Sequence, residues 1–319
     1  MRIVFLGSPE EVISPLSHLL DTRKDFEVVA VVSQPAKPQG RGRSIEDPPV
    51  ARFAKSRGIL TLQPNKASDP EFLAKFRELQ PDVAITAAYG QILSDEFLSI
   101  PRRGTINIHP SMLPAYRGAT PVQSAVAAGD QKTGVTVLFT VKKLDAGNII
   151  VQKPFDIGSD ERAGTLMTRL FKASAVLLTD ALDLLKDPEF KGTEQDPARI
   201  THCQKIDKTD GNIAWDRDSE EIYNRFRAFD PWPGSYTFLA GKRIAVTDMR
   251  PTKDLKTSQD PGEFMFDKKQ HCLTVGTGTD PLQITMLKPA GGGAVNAAAF
   301  WNGLKDRSHP KFEEGGPQS

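Results

Sequence analysis

Two textures of apolar and polar positions divide the chain. Up to Leu185, short apolar runs at 3–6, 28–32, 59–62, 83–87, 105–109 and 135–141 alternate with stretches at 9–20, 49–57, 69–79 and 119–128. The runs have the length and alternation of strands, and the intervening stretches have helical character. Their succession predicts a parallel, doubly wound α/β sheet. Ser8, Pro9 and Glu11 read as a capping box opening the first helix. A leucine- and alanine-rich stretch over 165–185 predicts a long closing helix. Residues 186–210 are polar and carry Pro188, Gly192 and Pro197, the composition of a linker. A helix at 219–229 follows, then strand-like runs at 235–239, 243–247, 263–266, 273–275 and 282–287, separated by turn residues and charge. That pattern predicts a small β-barrel or a similar β-rich module. The domain division expected is 1–190, a linker at 191–208, a β-rich domain at 209–306, and a disordered tail at 307–319.

Composition narrows the class without naming a reaction. A length of 319 residues favours two domains over one. A formal net charge of +1 announces no nucleic-acid partner by itself. The first residues, Met1 to Gly7, carry one charge and too short an apolar run for a signal peptide, and no run is long enough to span a bilayer. A cytoplasmic protein with no membrane partner is the expectation. Cys203 and Cys272 lack metal-ligand spacing and read as idle thiols.

The most informative stretch is Thr105, Ile106, Asn107, Ile108, His109, Pro110. Period-two alternation puts Asn107 and His109 on one face of a strand, and Pro110 ends it. In open parallel sheets the carboxyl ends of strands are where ligands bind. Asp145 follows the run at 135–141, so a parallel sheet would bring it to the same edge, with Gly147 allowing a tight turn. An aspartate satisfied by its own turn is an equally good reading of that spacing.

Other chemistries lack support. The first strand leads into Gly7, Ser8 and Pro9, without the G-x-G-x-x-G of a dinucleotide site, so NAD is not expected. There is no G-x-S-x-G elbow and no H-E-x-x-H, so neither an activated serine nor a metal is expected. An amide, an imidazole and a carboxylate suit a reaction that passes through an oxyanion without covalent enzyme chemistry.

Two segments raise nucleic acid as a partner. From 34 to 57, Lys37, Arg41, Arg43, Arg52, Lys55 and Arg57 face only Glu46 and Asp47. The glycine- and proline-rich first half is a basic loop that either contacts phosphates or is simply solvated. From Arg225 to Tyr236, arginines interleave with aromatics. Such interleaving suits single strands, but core packing, with Phe229 and Trp232 buried, is the favoured reading.

With these residues in view, the chain from 1 to about 304 resembles the 10-formyltetrahydrofolate-dependent formyltransferase family. The marks are Asn107-x-His109-x-Ser111-x-Leu113-Pro114, then Arg117-Gly118-Ala119, then Leu144-Asp145-x-Gly147, with the run from Ala87 to Leu93. The loop beginning Gln34-Pro35 and the stretch Arg227 to Gly234 are similar to the tRNA-acting branch. The resemblance implies a Rossmann-like catalytic domain and an OB-like C-terminal barrel that helps hold tRNA. It implies transfer of the formyl group of 10-formyltetrahydrofolate to the α-amine of methionine on initiator tRNA, by a monomer without a metal. Asn107, His109 and Asp145 would be catalytic. A protonated His109 and Asn107 would stabilise the oxyanion while Asp145 keeps the imidazole charged. Ser111, Met112, Leu113 and Pro114 would contact the folate, with Met112 where the family commonly has leucine. Lys37, Arg41 and Arg43 would contact tRNA, Arg41 matching a key arginine. Three alternatives stay open: formyl transfer to a small amine, hydrolysis of the formyl donor, and a non-catalytic RNA-binding module.

Overall fold

The computed structural model describes residues 1–39, 44–252 and 259–315. It divides into two compact units. The first contains Met1–Pro121, Lys132–Asp156 and Leu166–Cys203, and the second Val122–Gln131, Ile157–Thr165 and Gln204–Ser319. Two excursions of the N-terminal half therefore belong, by contact, to the second unit.

The first unit is built on β1 (Arg2–Gly7), β2 (Glu27–Val32), a small hairpin β3 (Lys37–Gln39) and β4 (Ser44–Glu46), β5 (Thr61–Leu62), β6 (Val83–Ala87), β7 (Thr105–His109), β8 (Lys132–Phe139) and β9 (Ile149–Asp156). Its sheet runs in the order β5-β2-β1-β6-β7-β8-β9. From β5 to β7 all pairings are parallel, whereas β7–β8 and β8–β9 are antiparallel. The sheet is thus parallel-dominated and Rossmann-like, with an antiparallel edge. Central strands read as continuous apolar runs because helices cover both faces. Val83 to Ile85 and Ile3 to Leu6 are fully buried.

The helices follow the expected stripes. They are α1 (Ile13–Thr22), α2 (Pro49–Ser56), α3 (Pro70–Glu78), the short α4 (Asp95–Leu98), α5 (Pro121–Ala127) and α6 (Ala163–Leu184). Leu166, Leu170, Leu178 and Leu182 form the buried stripe of α6, four or eight residues apart. The expected capping box at Ser8 does not form. A 3-10 turn over Glu10–Val12 precedes α1, with no side-chain cap, and the Ser8 hydroxyl instead accepts Gln34 N–H at 3.0 Å. A long-range backbone donor has taken the oxygen that the local motif would use.

The second unit contains α7 (Ser219–Ala228), β10 (Ser235–Leu239), β11 (Lys242–Pro251), β12 (Phe264–Asp267), β13 (Cys272–Val275), β14 (Leu282–Pro289), β15 (Val295–Asn296) and α8 (Ala297–Asn302). The antiparallel order is β10-β11-β14-β13-β12, with β15 beside β14. Residues 310–313 reach both outer strands: Phe238 and Glu313 exchange backbone hydrogen bonds, and Phe264 N–H reaches the Pro310 carbonyl. Phe312 is 2% exposed and stacks on Phe264, centroids 4.2 Å apart, and on Trp215 at 5.7 Å. The stretch expected as a disordered tail from 307 therefore carries a core residue. Its polar composition hid a single phenylalanine that packs into the core of the second unit.

The excursion at 157–165 explains the arginine–aromatic segment. Arg227 donates to the carbonyls of Gly158 and Glu161, and Tyr223 Oη donates to Asp160. Phe229 is buried as expected, but Trp232 is 49% exposed, against expectation. It lies outside the helix between Pro231 and Pro233, where the chain turns at the surface.

Candidate active site

β7 presents Asn107 and His109 as the alternation predicts. His109 is almost fully buried and Asn107 half-buried. Thr86 on β6 lies across the parallel register from Asn107, and its hydroxyl is 3.0 Å from Asn107 Oδ1 and 3.1 Å from the Ile106 carbonyl. With its oxygen held there, the amide turns Nδ2 toward Asp145 Oδ1 at 3.4 Å. The opposite flip would set two acceptors against each other.

Asp145 joins this pair by a route the strand ends do not supply. β8 runs antiparallel to β7, pairing Phe139 with Ile106, and Thr140 N–H meets the Thr105 carbonyl. The carboxyl end of β8 thus lies at the amino end of β7, so a shared carboxyl edge is not what brings the carboxylate in. The β8–β9 turn folds back instead. Asp145 sits at φ +49°, a left-handed conformation aspartate tolerates better than most residues. Its Oδ2 accepts Gly118 N–H at 2.8 Å. Gly147 is needed for close approach, because a Cβ there would run into the Phe139 carbonyl.

His109 Nε2 lies 3.0 Å from the Tyr116 carbonyl. A carbonyl only accepts, so Nε2 carries the proton. Nδ1 faces Asp145 Oδ2 at 3.7 Å, beyond hydrogen-bond length. Burial pushes the imidazole below its ordinary range, against the opposing pull of Asp145 and the Tyr116 carbonyl. Burial thus favours the neutral imidazole with a bare Nδ1 over the standing imidazolium that was expected. An arriving proton would occupy Nδ1 and turn it into a donor toward Asp145.

The stretch after β7 wraps this pair. Ser111 is fully buried, and its hydroxyl donates to the Ala115 carbonyl at 2.8 Å. Leu113 and Pro114 are buried too, the Leu113 amide reaching Thr136 Oγ1 at 3.2 Å. Met112 is half-buried and packs over Gly134, where a Cβ would collide with its sulfur. Of the four residues expected to contact folate, three are enclosed and only Met112 keeps partly exposed surface. Lys37 is exposed on β3, its Nζ 3.1 Å from Gln34 Oε1. Arg41 and Arg43 lie outside the described residues.

Several residues that shape the site lie in the polar stretch read as a linker. Thr193 pairs with Ile149, Thr201 Oγ1 accepts Tyr116 N–H at 2.8 Å, and Gln195 reaches the Asp145 turn. Gly118, at φ +126°, is pressed against Cys203, whose Sγ would be 2.8 Å from a Cβ. Only glycine suits that position. Regular spacing betrays none of these, since each contact is a long-range side-chain or loop contact. Among the described residues no group of His, Cys, Asp and Glu is arranged to hold a metal, and no helix is long and apolar enough to cross a membrane.

Comparison with known proteins adds the family. Residues 1–182 match the family described as formyl transferase, and residues 205–305 match its C-terminal domain. A protein of Anaeromyxobacter dehalogenans strain 2CP-1, named methionyl-tRNA formyltransferase, is 37% identical over 306 residues, covering 96% of this chain and 97% of that one. The structure of WlaRD, described as a sugar 3N-formyl transferase in the presence of dTDP and 5-N-formyl-THF, aligns with a TM-score of 0.65 at 16% identity, over 92% of this chain and 99% of that one. HypX from Aquifex aeolicus, in complex with tetrahydrofolic acid, aligns with a TM-score of 0.64 at 18% identity, over 98% of this chain. The chain spans 51% of the HypX chain. Both structural likenesses speak to the fold.

Proposed function

The chain belongs to the formyl transferase family, and from that premise we propose that it transfers the formyl group of 10-formyltetrahydrofolate to the α-amine of methionine on initiator tRNA. The chemistry rests on one observation: Asn107, His109 and Asp145 meet, with the His109 and Asp145 side chains almost fully buried and Asn107 half-buried. The likeness to relatives named methionyl-tRNA formyltransferase, across nearly the whole chain, supports the acceptor.

The donor supplies the formyl carbon, and this chain's residues manage charge and protons around it. The acceptor amine attacks that carbon, forming a C–N bond while negative charge gathers on the formyl oxygen. The Asn107 amide N–H donates to that oxygen; such a preorganised donor contributes about 3 kcal/mol in a dry site. The amine's proton leaves, directly or through water, for the bare Nδ1 of His109, and Asp145 stabilises the imidazolium so formed. That proton then returns to the departing donor nitrogen as its C–N bond breaks, and His109 is neutral again. Asp145 is close enough for this and too far to hold the proton permanently.

Met112 is the member of 111–114 that touches the folate, while Ser111, Leu113 and Pro114 shape the wall behind it. Lys37, Arg41 and Arg43 meet tRNA phosphates, so binding weakens steeply with salt. The first unit, reaching to Cys203, is the catalytic part, and the β-rich part from 209, with Phe312 in its core, helps hold tRNA, acting in a monomeric, cytoplasmic enzyme.

The test is formyl transfer measured with methionylated initiator tRNA, methionylated elongator tRNA and small amines, with formate release followed in parallel. Transfer to initiator tRNA is expected, and absence of transfer to tRNA overturns the reading. Asp145→Asn should lower turnover about 10²–10⁴-fold with tRNA affinity unchanged, and a near wild-type rate would remove Asp145 from the mechanism.

A further inference from the structure

The turn that carries Asp145 has one backbone hydrogen bond of its own, Ala146 N–H to the Lys143 carbonyl at 3.2 Å. The Asp145 carboxylate is tied by one backbone donor, Gly118 N–H, and the residue sits at positive φ. Asn107 Nδ2 reaches the same carboxylate at 3.4 Å, and a further constraint comes from fifty residues along the chain. Gln195 Nε2 donates to the carbonyl of Asp145 at 2.8 Å and to the carbonyl of Gly147 at 2.8 Å. Gln195 Oε1 in turn accepts from Arg117 Nε at 3.1 Å and Nη2 at 2.8 Å. Arg117 is 4% exposed, and its backbone is locked to the strand-like stretch at 201–203 through Thr201 O and Cys203 N–H. A buried guanidinium demands good acceptors, so it has strong reason to grip the amide oxygen. One amide thus uses both ends, its oxygen fixed by the fork of Arg117 and its nitrogen spanning the two carbonyls that bracket Ala146.

The topology closes on itself at this point. Arg117 holds Gln195, Gln195 holds the backbone of Asp145, and Gly118, the next residue after Arg117, holds the Asp145 carboxylate. The same dipeptide therefore sets the backbone and the side chain of the turn. Resting on the formyl-transfer reading above, we infer that Gln195 is a positioning residue for that reaction, with Arg117 as its anchor: the pair fixes Asp145 opposite His109. Gln195 touches neither reacting group, and its contribution passes entirely through the carboxylate. A shift of about 1 Å in a catalytic group costs on the order of 10²-fold in rate, so loss of the clamp should appear in kcat.

Gln195→Glu separates this role from general stabilisation. Glutamate keeps an acceptor for Arg117 but loses both N–H donors to the turn, so the folded chain should persist while the turn is released. In the full-length protein, kcat for initiator tRNA formylation should fall about 30-fold. KM for either substrate should change less than threefold, and thermal unfolding should stay within a few degrees of wild type. The decisive comparison is the same substitution made in Asp145→Asn protein and read by single turnover with enzyme in excess. If Gln195 acts through the carboxylate, its effect should shrink to under threefold there. A role in general stability would leave the effect undiminished in that background and would overturn the inference. Should Gln195→Glu not fold, Gln195→Asn gives the same test, since its amide falls one methylene short. Wild-type transfer with the folded Gln195 variant within twofold of wild-type kcat would overturn this inference alone. No transfer by the wild-type chain would remove the functional reading, and this inference with it.

Discussion

Two regions meet at the site by opposite means. β7 delivers Asn107 and His109 on a strand paired on both sides, with Ile106 and Ile108 buried beneath. The turn between β8 and β9 delivers Asp145 from a segment whose neighbours Lys142, Lys143 and Leu144 are exposed. The strand residues are placed by their own backbone ladder. The turn residue is placed by ties from Gly118 and Gln195 and by a glycine that permits a close approach. A strand is tolerant of local change because many bonds share its position, whereas a tethered turn depends on a few.

That contrast can be broken by substitution. Gly147→Ala should have the largest effect, because the new Cβ meets the Phe139 carbonyl, which is backbone and cannot swing aside. A loss of about 100-fold in kcat is expected from displacement of the turn, together with about 1–3 kcal/mol of stability, read by formylation kinetics and denaturant unfolding. Activity close to wild type would mean that the turn is not rigidly placed. Thr86→Val removes the hydroxyl beside Asn107 Oδ1 at nearly constant shape. One hydrogen bond of about 1 kcal/mol corresponds to a five- to tenfold fall in kcat, and a hundredfold fall would show the strand to be no sturdier than the turn. Ile106→Val, under the same strand, should cost about 0.5–1.5 kcal/mol with kcat within twofold; a larger kinetic effect would contradict the ladder argument.

The smallest effect is on pH dependence. Burial lowers the His109 imidazole below its usual 6.5, so the unfolded chain takes up this proton at a higher pH than the folded one. The contribution is fully present above pH about 6.5 and is lost as pH falls from there toward the folded value, at most about 1.4 kcal/mol per unit. His109→Asn should therefore flatten the decline in melting temperature between pH 6.5 and 5 by a few degrees. An unchanged slope would show that the folded and unfolded imidazoles titrate alike.

The same contrast explains what was legible. Asn107 and His109 could be read from alternation, because a strand's facing is a local property of two-residue period. Asp145 could be picked out as a residue type after a strand, but its path could not. Nothing in 135–141 says that β8 reverses, and β9, interrupted by Lys153 and Pro154, lacks a clean alternating pattern. Gln195 was illegible because polarity around 186–210 looks the same whether a side chain is solvated or gripping two carbonyls. Phe312 was illegible for a related reason: one aromatic amid charges gives no period. The doubly wound sheet came through because burial on both faces leaves unbroken apolar runs in β1 and β6. Trp232 shows the limit of composition in the other direction, since an apolar ring beside prolines stands half in solvent.

The plug at Phe312 has a consequence for synthesis. A ribosome making this chain exposes β10 to β14 well before residues 310–313 emerge, and until then Trp215 and Phe264 lack the ring that covers them. The second unit therefore completes itself late, while the first already has every strand of its sheet. Vectorial emergence thus gives the molecule a built-in order of assembly, with the apolar surface of Trp215 and Phe264 uncovered for as long as translation of that short stretch is pending.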